Sequence, residues 1–87
     1  MSKKHFDNEI EETIWKHDFD FIKEINDYNE HLRIYRKYCC QEIKMIFDIK
    51  HQYVCFFYKG YRIPIVLYPD MIKAIYDKCK ELKMVEV

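Results

Sequence analysis

The sequence predicts a single α+β domain over residues 1–87. Its parts are an N-terminal helix or helix pair, a two- to three-stranded antiparallel β-meander, and a C-terminal helix packed on the sheet. Three observations predict this. Apolar residues recur every three or four positions as far as residue 39, then every second position from residue 43. The only glycine, Gly60, separates two runs rich in aromatic and β-branched residues. Pro69-Asp70 then opens a further stretch of helical spacing.

Phe6, Ile10 and Ile14 lie four apart with Trp15 beside them. Asn8 followed by Glu11 reads as a capping box, which starts a helix near residue 9. A second stripe runs through Phe21, Ile22, Ile25, Tyr28, Leu32, Tyr35 and Cys39. Steps of three and four over more than two heptads predict a second helix with a seam able to form a homodimer. His17-Asp18 is then a joint between two helices, or one helix runs through it.

Ile43, Met45, Phe47 and Ile49 alternate with Lys44, Asp48 and Lys50, which is strand spacing apart from Ile46. Extension of the second helix through residues 40–50 is the competing reading. Residues 53–58 and 61–68 flank Lys59-Gly60 as a tight hairpin, with glycine supplying a positive φ. Pro64 removes a ladder donor, so the last strand belongs at an edge or carries a bulge. Beyond Pro69-Asp70, the residues Ile72, Ile75, Tyr76, Cys79 and Leu82 form the apolar stripe of a helix of about four turns.

Composition narrows the function. One Gly in 87 residues excludes phosphate-cradling loops, dinucleotide fingerprints and nucleophile elbows, which all need several. With 49% hydrophobic and 34% charged residues, the chain folds rather than remaining disordered. Twelve Ile and twelve Lys against one Ala and three Arg mark an AT-rich coding sequence, of the kind found in phages and mobile elements. The four cysteines follow no framework spacing, and no apolar leader opens the chain. They read as reduced core thiols of a cytoplasmic protein. No uncharged run is long enough to cross a bilayer.

Formal net charge is zero, but the signs are segregated. Residues 1–30 carry nine acids against four lysines, and residues 31–62 carry seven cations against Glu42 and Asp48. This suggests two working surfaces. The acidic one, with Glu9, Glu12, Asp18, Asp20, Glu24 and Asp27, supports a small non-catalytic accessory or inhibitor protein. It would dock on a host nucleic-acid-processing or defence protein by imitating nucleic acid. The alternative is nucleic-acid binding by Arg33, Arg36, Lys37, Lys59, Tyr61 and Arg62, helped by Lys44 and by the rings of Tyr53, Phe57 and Tyr58. Bases stack on such rings while cations meet phosphate.

No catalytic residue set, cofactor or metal site is expected. There is no C-x-x-C or H-E-x-x-H spacing. Only Glu42-Ile43-Lys44, with Asp27 or Glu30 upstream, hints at a metal-dependent nuclease.

Overall fold

The computed structural model describes residues 8–84. The expected positions of Phe6 and Asp7 lie outside them. The order of elements is α1 (Glu9–Lys16), β1 (Phe19–Asn26), β2 (His31–Lys37), β3 (Ile43–Asp48), β4 (Tyr53–Tyr58), β5 (Tyr61–Arg62) and α2 (Pro69–Glu81). The class is α+β as expected, but the meander has five strands rather than two or three. All five are antiparallel, and their spatial order is their chain order.

The two additional strands come from the region read as a second helix. Residues 19–26 and 31–37 pair as a hairpin, so neither the helix pair nor the helical dimer seam over residues 21–39 exists. The turn shows why. Asp27 Oδ1 accepts from the backbone N–H groups of Asn29 (2.8 Å) and Glu30 (2.9 Å), closing a loop with its own side chain. A bulge between Phe21 and Lys23 inserts Ile22 as an extra residue. That insertion disguised the strand alternation as a helical step.

The other elements follow their local signals. The Asn8 side chain accepts from Glu11 N–H at 2.8 Å and starts α1, while the Glu11 carboxylate turns inward instead of closing a capping box. Strand spacing wins over residues 43–48. Lys59 (φ 50°) and Gly60 (φ 86°) both take the left-handed conformation that a two-residue hairpin loop demands. Tyr61–Arg62 forms β5, and one further backbone bond runs from Ile63 N–H to Phe56 C=O at 2.9 Å. Pro64 stands at the open edge of the sheet, where a missing N–H is tolerated. Alternation nevertheless continues beyond β5, with Ile63, Ile65 and Leu67 packed on the core.

One face of the sheet carries both helices. Ile14 of α1 and Met71, Ala74 and Cys79 of α2 cluster with Phe19, Tyr35, Met45, Phe47 and Phe56. The inward stripe of α2 is therefore offset from the expected one, leaving Ile72 and Tyr76 exposed. Of the cysteines, only Cys79 lies in this core; Cys39 is exposed, Cys40 and Cys55 are half-buried, and all four are free thiols. Among the described residues, no helix is long and apolar enough to cross a membrane.

Candidate functional site: the helix-free face of the sheet

Strand alternation sends every second side chain away from the helices. Register then places Asp20, Arg36, Lys44, Phe57 and Arg62 opposite one another in a single row across all five strands. Beside it run Lys23, Ile34, Ile46 and Cys55, and then Ile25, Leu32, Asp48 and Tyr53. None of these apolar side chains belongs to the core under the helices. The face is thus an aliphatic floor with cations along one side and aromatic rings on β4.

Two features mark the middle of the row. Arg36 lies directly between Lys44 on β3, whose like charge repels it, and Asp20 on β1, whose opposite charge offsets that repulsion. In addition, the Arg36 Nε is buried without a hydrogen-bond partner among the described residues. Such an atom carries a desolvation cost. At the other end Arg62 is held in place: its Nη2 donates to the Tyr53 hydroxyl at 3.1 Å, and its guanidinium lies 5.2 Å from that ring's centre. The His51 ring stacks on Tyr53 at 6.2 Å and is itself tied to the Asp48 carboxylate (3.0 Å). Burial raises the Asp48 pKa, but hydrogen bonds from the His51 backbone and ring outweigh it and set the carboxyl below its usual range.

The six acids expected to share a helical face are scattered. Glu9 and Glu12 lie on α1, with Glu12 paired to Lys16 at 3.3 Å. Asp18 occupies a left-handed turn (φ 72°) between α1 and β1. Asp20 is on the helix-free face, across from Arg36. Glu24 is on the helix side of β1 and is bonded to Arg33 and His31, each at 3.2 Å. Asp27 closes its own turn.

Comparison with family models, curated proteins and solved structures finds no match. The geometry alone therefore carries the reading.

The cationic set divides as well. Arg36 and Arg62 meet on the helix-free face together with Lys44. Arg33 is instead committed to the helix side, between Glu11, Glu24 and Tyr35, with Phe21 4.2 Å beneath it. Lys37 lies over the Phe19 ring at 5.1 Å. Lys59 is in the β4–β5 turn, and Tyr61 begins β5 on the Tyr58 side. Lys23 was missed, and the grouping of Arg36 with Phe57 needed the cross-strand register. The alternation Leu32, Ile34, Arg36 was a signal for it.

The nuclease constellation does not assemble. Asp27 and Glu30 are at the β1–β2 turn, whereas Glu42 precedes β3 at the opposite end of the sheet, 3.5 Å from Lys59. No group of three His, Cys, Asp or Glu residues among those described is placed to hold a metal.

A cleft of about 280 Å³ lies between the α1–β1 joint and the 65–68 segment, lined by Lys16, His17, Lys37 and Tyr68 among others. His17 Nε2 is 3.0 Å from Asp70 Oδ2, and its ring stacks on Tyr68. These contacts tie the start of α2 to the end of α1.

Proposed function

We propose that the chain is a non-catalytic binding protein that takes an anionic partner on the helix-free face of its sheet. The row Arg36–Lys44–Phe57–Arg62 carries this reading. It gathers cations beside the rings of Phe57 and Tyr53 over an aliphatic floor. The floor itself is buried or half-buried, so a partner meets chiefly the cations and the edges of the Phe57 and Tyr53 rings.

The test is an amide chemical-shift titration with two generic polyanions, polyglutamate and the oligonucleotide dT12, at low salt. Shifts concentrated on alternate residues of β2, β3 and β4 are the expected result. Shifts confined to the helices, or none at millimolar ligand, would overturn the reading.

A second reading keeps the acidic side as the working surface, docked on a host nucleic-acid-processing or defence protein. The groove between α1 and α2 favours it, since Glu9, Asp70 and Asp77 line that groove. Asp77 is already paired with Lys73 (2.7 Å) and Lys80 (3.7 Å), and Asp70 with His17. Much of that charge is therefore neutralised within the chain, which puts this reading second. Reversal of Glu9 and Glu12 to Lys abolishes complex formation with such a partner if the acidic side is the contact. Retained binding would refute it.

A further inference from the structure

We infer that the anionic partner on this face is single-stranded nucleic acid, laid along the row Arg36–Lys44–Phe57–Arg62. The inference rests on the reading above and narrows it to one ligand class.

Three observations select this class. First, a carboxylate-rich peptide would use the cations alone, whereas this row places a half-buried phenylalanine between Lys44 and Arg62. Lys44 is the direct cross-strand neighbour of Phe57, one strand spacing of about 4.8 Å away. The Arg62 guanidinium instead reaches along β4 to lie 5.2 Å from the centre of the Tyr53 ring. A base stacked on Phe57 has one flanking phosphate beside Lys44, and a strand continuing along β4 meets the Arg62 guanidinium at Tyr53. Tyr53, on the same face of β4 and 40% exposed, already carries His51 and the Arg62 guanidinium on its ring. It therefore fixes a cation for the next phosphate rather than offering a second stacking surface. Base stacking on aromatic side chains tolerates any sequence.

Second, the geometry disfavours a duplex. A row crossing five strands covers four spacings, about 19 Å. The major groove is about 12 Å wide and admits a helix or a two-stranded ribbon. This sheet is too broad to enter it, and paired bases are not free to stack on protein rings.

Third, the row holds more cations than carboxylates. Arg36 and Lys44 face each other across one strand spacing, and the row's one carboxylate, Asp20, stands on the far side of Arg36, away from Lys44. A phosphate oxygen near these two residues would relieve the repulsion and accept from a guanidinium at the same time. A second copy of this chain brings the same cations to the interface and so adds repulsion.

Zero net charge does not oppose this binding. The face itself holds Lys23, Arg36, Lys44 and Arg62 against Asp20 and Asp48, and Asp48 is engaged by His51. Most of the remaining acid lies on or beneath the helical side. The expected affinity is modest, because about three phosphates are neutralised.

The experiment is fluorescence anisotropy of the whole chain with labelled dT12, rU12, a 12-base-pair DNA duplex and polyglutamate. Three neutralised phosphates give a salt slope near −2, so affinity for dT12 falls about 20-fold between 50 and 200 mM salt. Phe57→Ala weakens dT12 binding about tenfold. Lys44→Thr weakens it too, without lowering Tm, because it also removes the repulsion with Arg36. Circular dichroism of both variants separates a lost contact from a lost fold, and Phe57→Leu is the substitute if Phe57→Ala unfolds. A preference between dT12 and rU12 assigns the sugar, and either result supports the inference.

Equal affinity for the duplex, or wild-type binding by both the Phe57 and the Lys44 variants, overturns it. If polyglutamate shifts the face as strongly as dT12, the anionic-partner reading stands and the nucleic-acid inference falls. If neither ligand shifts the face, both fall. A stable dimer by light scattering whose interface is this face also overturns both.

Discussion

At the scale of single residues, the most constrained group is Glu11. Its Oε2 accepts from the Tyr35 hydroxyl at 2.8 Å and from Arg33 Nη2 at 3.3 Å, and it meets the ammonium of Lys78. Lys78 is only 4% exposed and also donates to Glu81 at 2.7 Å. One carboxylate thus ties α1, α2 and β2 together. Burial raises the Glu11 pKa, but hydrogen bonds from Lys78 and Tyr35, with the charges of Lys78 and Arg33, bring it below its ordinary 4.5. A carboxyl whose folded pKa is depressed stabilises the fold above its unfolded pKa, and that stability is lost as pH falls through the folded value. Urea midpoints therefore fall below about pH 4.5 in the wild type, and fall less steeply in Glu11→Gln. At neutral pH, Glu11→Ala leaves the Lys78 charge buried without its main partner. It is expected to cost about 3 kcal/mol. Glu11→Leu combined with Lys78→Met costs clearly less than either single change, because no orphan charge remains. Chemical denaturation of the four proteins checks this.

At the scale of elements, legibility followed the reach of the signal. Asn8, Pro69 and the Lys59-Gly60 turn act over three or four residues, and each placed its boundary correctly. The β1–β2 hairpin was misread because the bulge at Ile22 broke the alternation of β1, so Ile22, Ile25, Leu32 and Tyr35 fell on helical steps. The corrective signals were local too: Asp27-Tyr28-Asn29 is turn chemistry, and residues 32–36 alternate. The helix-free face was only half legible. Its cations and rings were visible one by one, but their alignment depends on register across strands up to forty residues apart. The end of α2 supports a sharper expectation. Met84 N–H donates to Cys79 C=O at 2.8 Å and Lys83 N–H to Lys80 C=O at 3.0 Å, with Lys83 at φ 60°. This is a Schellman closure with lysine where glycine is usual. Lys83→Gly relieves left-handed strain and is expected to raise stability by up to about 1 kcal/mol. Gly60→Ala works the other way. Nothing lies within 4 Å of the added methyl, so its cost of about 1 kcal/mol is purely conformational. Thermal melts distinguish the two signs.

At the scale of the whole molecule, one layer separates two chemical sides. Helices and the buried ion network lie on one side of the sheet, and cations with the rings of Phe57 and Tyr53 on the other. The segregation of charge along the sequence is therefore only partly a segregation in space: Glu24 and Arg33, from the acidic and basic segments, neutralise each other on the helix side. What remains for a partner is Lys23, Arg36, Lys44 and Arg62. Salt dependence of any binding should track these four. Substitution of Arg33 should instead lower stability and leave the salt slope unchanged.

Because the strands pair in the order in which they occur along the chain, each ladder closes over a short loop. Only α1 and α2 must find each other across more than fifty residues, and the Glu11–Lys78 contact records that late meeting. Formation of the meander should therefore set the refolding rate, with the helix pair acting afterwards as a clasp. Lys78→Met is then expected to hasten unfolding several-fold while barely slowing refolding in stopped-flow measurements. Equal effects on both rates would place the clasp in the folding nucleus.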